Sequence, residues 1–266
     1  MRLPPAWHVA RRADGVEVPY RVEGDGPVLL LVPGLGGSSR LFGTLPRTLA
    51  RLGWRAVAYD PPGLGHAADH AGEWSFDDAA EDLAAILAAL DAPTCRLLAT
   101  SMGGKVAAVF MARHADRVEE AFFYGTEASG SARARAVYGF WAAVFGALPP
   151  EDIFPAIRPF LFGSSFQRDK ARLLDDIGRS FAPTPAELRT TRQQVRALSA
   201  APFPALLAEV TRPVTCHAGL EDVLVVPADV RATAELLPGG RYVEVPEAGH
   251  TMLLENPEAC LAVLGR

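Results

Sequence analysis

The segment Leu97-Leu98-Ala99-Thr100-Ser101-Met102-Gly103-Gly104 sets a serine between an apolar run and a stretch able to start a helix, with small residues two positions to either side. A strand-to-helix turn of this kind is strained and exposes the serine oxygen, and the small neighbours let backbones approach closely. Ala99 stands where glycine is more usual in such turns. A serine hydroxyl is a weak nucleophile near neutral pH; it needs an imidazole to take its proton and a carboxylate to hold that imidazole in the right tautomer. A helix-capping serine would look the same locally, so the partners decide. Downstream, Cys216-His217-Ala218-Gly219-Leu220-Glu221-Asp222 puts a carboxylate after one apolar run, and Ala248-Gly249-His250-Thr251 puts a histidine after the next. The constellation reads as Ser101 nucleophile, Asp222 orienting acid and His250 base. Glu221 and Glu127 compete with Asp222. Asp222 is preferred because it follows Gly219 with room for a turn back toward the histidine, and Glu221 is expected to be solvated.

An acyl-transfer site of this type also needs two fixed N–H dipoles where negative charge develops on the carbonyl oxygen. The backbone N–H of Met102, at a helix N-terminus, is one candidate; that of Leu35, in Val32-Pro33-Gly34-Leu35-Gly36-Gly37, is the other. This glycine loop lacks the lysine and hydroxyl of a phosphate-binding G-x-x-x-x-G-K-[ST] loop and the spacing of G-x-G-x-x-G. His217 reads as a structural strand residue and His8, His70 and His114 as surface residues, while the sequence does not decide His66.

The elements that must position these groups follow from periodicity. Trp7 to Arg11 and Val16 to Val22 flank the turn signal Ala13-Asp14-Gly15 and predict a β-hairpin. Pro27 to Pro33, Arg55 to Tyr59, Arg96 to Thr100, Val118 to Tyr124, Val214 to His217 and Tyr242 to Val245 predict strands, with helical patterns between most of them. Ser75 and Asp78 form a capping signature for one such helix. The β-α-β alternation requires a mostly parallel sheet with helices on both faces. All three candidate residues then fall at C-terminal strand ends, where open parallel sheets build sites.

Between residues 131 and 204 the alternation stops, and short helical stretches are punctuated by Pro149-Pro150, Pro155, Pro159, Pro183 and Pro185. The expectation is a helical cap of residues 131–204 inserted into a core of residues 1–130 and 205–266. The cap is rich in aromatics: Tyr138, Phe140, Trp141, Phe145, Phe154, Phe160, Phe162 and Phe166. Most should pack the cap's own core, with Trp141, Phe145 and Phe162 as substrate-facing candidates. Arg133, Arg135, Arg158 and Arg168 could meet a substrate carboxylate but read as solvated helix faces, and Lys105 is expected to be exposed.

Composition narrows the partners. The 266 residues are 49% hydrophobic and 21% charged, as in ordinary globular proteins, and the net charge of -5 disfavours nucleic acid and anionic membrane surfaces. A small-molecule substrate fits better. Cys95, Cys216 and Cys260 are widely spaced with no C-x-x-C pair and read as reduced thiols. The N-terminal stretch has prolines and charge rather than a signal-peptide core, and no charge-free apolar run is long enough to span a bilayer, so a cytoplasmic setting is expected. No metal or organic cofactor is called for. Oligomeric state is not encoded in any of these features.

With these residues placed, the chain resembles the α/β-hydrolase superfamily over essentially its whole length. The order Ser101, Asp222, His250 matches that superfamily's nucleophile, acid, histidine order, and Tyr59-Asp60-Pro61-Pro62-Gly63-Leu64-Gly65-His66 is similar to its Asp-x-x-Gly-x-Gly stretch after an early strand. Among its members the chain looks like small capped bacterial carboxylesterases, enol-lactonases and carbon-carbon bond hydrolases. The resemblance implies ester or lactone hydrolysis through an acyl-enzyme, with carbon-carbon cleavage or lyase chemistry on the same residues as the alternative and ligand sensing as a third. Pro33 departs from the histidine that many members carry before the loop glycine, so another residue must order this loop.

Overall fold

A computed structural model describes residues 4, 6–128, 130–200 and 203–264. Eight strands form one sheet: β1 (Trp7–Arg11), β2 (Glu17–Glu23), β3 (Val28–Val32), β4 (Arg55–Tyr59), β5 (Cys95–Thr100), β6 (Val118–Tyr124), β7 (Val214–Gly219) and β8 (Arg241–Val245). Their spatial order is β1-β2-β4-β3-β5-β6-β7-β8. The first two pairings in that order, β1 with β2 and β2 with β4, are antiparallel, and the others are parallel. The predicted hairpin and strands are therefore all present.

Strand β3 explains why the sheet is covered on both faces. Its sequence Val-Leu-Leu-Leu-Val is buried throughout, and alternate side chains enter different cores. Leu30 and Val32 join the larger cluster with Leu83, Leu97, Val106 and Phe123. Leu29 and Leu31 join a second cluster with Leu49, Leu98, Phe122 and Tyr124. A strand buried on both faces has no polar side to offer, which is why it reads as an unbroken apolar run.

The helices of the alternating part are α1 (Leu45–Arg51), α2 (Phe76–Ala89) and α3 (Met102–Arg113). Helix α2 begins where the capping signature puts it: Ser75 Oγ accepts from the Asp78 N–H at 3.0 Å and donates to its carboxylate at 2.6 Å. Between β6 and β7 the chain inserts α4 (Ala132–Ala147), α5 (Pro150–Leu161), α6 (Ser164–Asp169), α7 (Ala171–Ser180), α8 (Pro185–Ala200) and α9 (Phe203–Leu207). It closes with α10 (Pro227–Leu236), α11 (Met252–Glu255) and α12 (Pro257–Leu261). Among the described residues no helix is long and apolar enough to cross a membrane.

The chain leaves β3 for β4 on one side and then returns to β5 on the other side of β3. This reversal places a crevice at the C-terminal ends of β3 and β5, where open α/β sheets take ligands. Pairing of Val32 with Ala99 sets the loops after these two strands side by side. Pairings of Thr100 with Tyr124, Tyr124 with His217 and Gly219 with Val245 extend the same edge through β8.

Candidate active site

Ser101 is the first residue past β5 and precedes α3, with φ 52° and ψ −119°. A non-glycine residue in this region carries strain of about 1–3 kcal/mol that its surroundings must impose. They do so through hydrogen bonds: the Ser101 N–H donates to Tyr124 O at 2.8 Å, and Ser101 O accepts from Gly104 N at 3.1 Å and Thr126 Oγ1 at 2.9 Å. A side chain at Gly103 would collide with the carbonyl oxygens of Val32 and Pro33. That contact gives the physical reason for a small residue two positions after the serine.

His250 lies in the loop after β8, with its side chain 8% exposed, and its Nδ1 is 2.8 Å from Asp222 Oδ2. The other Asp222 oxygen accepts from the N–H groups of Leu224 at 2.9 Å and Val225 at 2.8 Å. The short turn after Gly219, in which Asp222 N donates to Gly219 O, thus fixes the carboxylate at both oxygens. Burial opposes charge on the His250 ring, but the Asp222 carboxylate and its hydrogen bond outweigh it, with help from Glu255, and the pKa is raised. Gly125, at φ 61°, lies beneath the pair: a Cβ there would be 3.1 Å from His250 Nδ1 and 3.5 Å from Asp222 Oδ2. Gly125 directly follows Tyr124, whose carbonyl holds Ser101, so the serine turn and the histidine-acid pair rest on consecutive residues of β6 and its loop.

The two competing carboxylates have other partners. Glu127 accepts from Tyr138 Oη at 2.8 Å and from Gly130 N at 2.7 Å. Glu221 stays partly exposed, as expected, and also accepts from Ser165 N at 3.0 Å and Ser165 Oγ at 2.8 Å, tying the start of α6 to the core; these bonds lower its pKa.

Ser101, Met102 and Leu35 line one pocket of about 40 Å³, together with Val137, Tyr138 and Trp141 from the insertion. Of the aromatic candidates, Trp141 lines this pocket. Phe145 does not; it stacks against Trp141 at 5.5 Å between ring centroids. Phe162 does not either, because it packs with Phe154, Phe166 and Leu174 in a separate cluster inside the insertion. A larger open depression of about 480 Å³, lined by His8, Tyr20, Asp25 and Arg55 among others, sits at the opposite end of the sheet. It holds none of Ser101, Asp222 and His250, so size does not mark the site here.

The expectation for Lys105 is overturned. It is 3% exposed, lines the same pocket, donates to Tyr138 Oη and lies 3.6 Å from Glu127. Burial pulls its pKa down to about 8 against the opposing pull of Glu127. The physical reason is that α3 is not a surface helix: nearly every residue of it is covered. Of the remaining histidines, His66 is held by the buried Asp60 at 2.8 Å and packs tilted against Trp7 at 4.1 Å between ring centroids, a structural role. His217 is fully buried against Tyr124, and desolvation lowers its pKa to about 4.

A family model described as the alpha/beta hydrolase fold matches residues 27–257. The chain belongs to the α/β-hydrolase family. Among curated relatives, a Variovorax paradoxus protein named as a carbamate hydrolase, RutD, is 29% identical over 236 residues, covering 87% of this chain and 88% of its own. A Mycobacterium tuberculosis protein named as a non-heme bromoperoxidase, BpoC, is 28% identical over 254 residues, covering 92% and 94%. A thermophilic esterase from Thermogutta terrifontis superposes with TM-score 0.83 at 23% identity over 97% of this chain and 96% of that one. An enol-lactonase from Burkholderia xenovorans does so with TM-score 0.83 at 24% identity over 97% and 98%.

Two residues that sequence reasoning missed hold this α/β-hydrolase site together. Gln194 of α8, almost fully buried, accepts from the Gly36 N–H at 2.8 Å, and so orders the glycine loop in which Pro33 offers no side-chain donor. Glu255 at the end of α11 accepts from Gly249 N at 2.9 Å, Thr251 N at 3.1 Å and Thr251 Oγ1 at 2.8 Å, bracketing His250, and from Gly163 N at 2.8 Å in the insertion. Glu255 falls a few residues after the histidine and could have been suspected from that spacing. Nothing local to Gln194 marks it.

Proposed function

We propose that this protein is a carboxylesterase-like serine hydrolase that cleaves an ester or lactone of a small, largely apolar substrate through an acyl-enzyme on Ser101. The observation that carries the reading is the His250–Asp222 contact, standing on the same sheet edge as a serine held at positive φ. With Nδ1 occupied by Asp222, the tautomer available to Ser101 presents Nε2 as the base. Ser101 Oγ attacks the scissile carbonyl carbon while His250 takes its proton. The N–H groups of Met102 and Leu35 receive the developing oxyanion. As the tetrahedral intermediate collapses, the acyl C–O bond to the alcohol breaks and His250 returns the proton to the leaving oxygen. Water, deprotonated by the same histidine, then attacks the acyl-enzyme and frees the acid and Ser101.

In this reading residues 131–204 act as a cap over a core of residues 1–130 and 205–266. A pocket of about 40 Å³ has room for on the order of two or three water-sized groups, which favours short acyl groups. The carbamate in one relative's name and the ester and lactone in the neighbours' names are all acyl compounds, consistent with this chemistry. The substrate is the expected partner, and three buried, free thiols fit a cytoplasmic setting.

Stopped-flow hydrolysis of nitrophenyl butyrate tests the reading. A burst of nitrophenol followed by slower turnover, absent from Ser101→Ala, is the expected result. Undiminished turnover in Ser101→Ala would overturn it.

A further inference from the structure

The pocket beside Ser101 is apolar except for a connected polar cluster from three separate elements. Lys105 on α3 donates to Tyr138 Oη on α4, and Tyr138 in turn donates to Glu127 in the loop after β6. The Lys105 ammonium also lies 4.4 Å from the Phe203 ring centroid and 4.7 Å from that of Tyr138. All three polar residues line the pocket with Ser101 and Met102. A buried ion pair gives no net stability over well-packed apolar residues of the same volume, so packing alone does not account for a lysine here.

An ammonium has three N–H donors. Tyr138 takes one and the Glu127 carboxylate, 3.6 Å away, draws a second, which leaves a third at the pocket wall. The charges of Lys105 and Glu127 offset each other, so the pocket provides donors without net positive charge. Among the described lining residues Lys105 is the only cation. The four arginines once candidates for a carboxylate are engaged elsewhere: Arg133 with Val223 O, Arg135 with Gly130 O, Arg158 with Asp175 and Arg168 with Asp169. A substrate carboxylate would meet Glu127 with nothing left to neutralise it, whereas an uncharged oxygen would not.

We propose that Lys105, held in place by Tyr138 and Glu127, is a specificity-determining residue that donates a hydrogen bond to an uncharged oxygen of the substrate. The preferred substrate then carries a ketone, amide or hydroxyl oxygen beyond its scissile carbonyl. This inference rests on the serine-hydrolase reading above.

The test uses nitrophenyl esters of three acids of matched length and shape, ending in an isopropyl group, a methyl ketone or a carboxylate. The ratio of kcat/KM values is taken within each variant, so that a general loss of rate cancels. The native enzyme should favour the ketone over the isopropyl ester by about tenfold, the size of one charge-assisted hydrogen bond, and should disfavour the carboxylate. In Lys105→Met the ketone-to-isopropyl ratio should fall to about one. Tyr138→Phe keeps the ring volume and removes the hydroxyl that positions the ammonium; it should lower the same ratio and carries the test if Lys105→Met does not fold. A native ratio near one, a ratio unchanged in a folded Lys105→Met or Tyr138→Phe, or a preference for the carboxylate ester would overturn the proposal. Failure to hydrolyse any of the three esters, with no burst from nitrophenyl butyrate, would instead mean that the serine-hydrolase reading itself has failed.

Discussion

The two walls of the pocket are built in different ways. On the core side, Ser101, Asp222 and His250 sit in short turns at strand ends: Asp222 is held by the nearby Leu224 and Val225 N–H groups, the His250 loop by the nearby Glu255 carboxylate, and Ser101 by Tyr124 and Thr126 of the adjacent strand and its loop. On the other side, Lys105 of α3 and Glu127 of the loop after β6 meet Tyr138 of α4, and the three hold one another. A site made of local turns keeps its geometry as long as the sheet is intact. A site made across elements depends on how the insertion seats. The first arrangement suits chemistry that must not vary, and the second suits recognition that can.

Substitutions on the core side should have the largest effects. Replacing Asp222 by Asn should lower kcat on the order of 10⁴-fold, because the amide stabilises the wrong imidazole tautomer; steady-state hydrolysis of nitrophenyl butyrate measures it. The same variant checks the electrostatics. A general base works when neutral, so kcat/KM should rise with pH through the His250 pKa, which Asp222 holds above its ordinary value. Without that carboxylate, the acid limb of the residual activity should move to lower pH. An unmoved limb would mean that another group titrates.

The next effect tests the seam between the two sides. Glu255→Ala leaves the Gly249 and Gly163 N–H donors without their acceptor, while Thr251 keeps Leu161 O, at about 1–3 kcal/mol for each donor that stays buried and unpaired. Loss of kcat by about 10- to 100-fold is expected, together with a lower Tm in thermal unfolding. Loss of Tm with kcat intact would show that Glu255 anchors the insertion without positioning His250. Gln194→Leu removes the acceptor for Gly36 N–H and should lower kcat by about tenfold, since it loosens only one of the two proposed oxyanion loops.

The smallest kinetic effect belongs to the interior of the insertion. Phe162→Ala should cost about 3–5 kcal/mol of stability, as for other buried phenylalanines, yet leave relative rates among esters unchanged, because Phe162 packs with Phe154 and Phe166 away from the pocket. A changed ester preference in a folded Phe162→Ala would blur the distinction between the walls.

The same contrast separates what the sequence reveals from what it hides. Strands such as Val28–Val32 and the Ser75 cap are set by side-chain patterns and short-range hydrogen bonds, and they stand where periodicity puts them. The placement of Ser101, Asp222 and His250 on one sheet edge follows from the alternation and needs no knowledge of the insertion. Lys105 and Gln194 were out of reach because their roles depend on which helix covers them. Lysine on a helix is normally solvated; Lys105 is covered by Tyr138 of α4 and Phe203 of α9, and Gln194 meets Gly36 from 158 residues away along the chain. Trp141, Phe145 and Phe162 look alike in sequence, and only the packing of the insertion distinguishes the one that lines the pocket.

The central claim is that Ser101 is an activated nucleophile, and reaction with a fluorophosphonate probe tests it most directly. Intact mass and peptide mapping should find a covalent adduct on Ser101 in the native protein and none in Ser101→Ala. An absent adduct in the native protein, or an equal adduct in Ser101→Ala, would contradict the account.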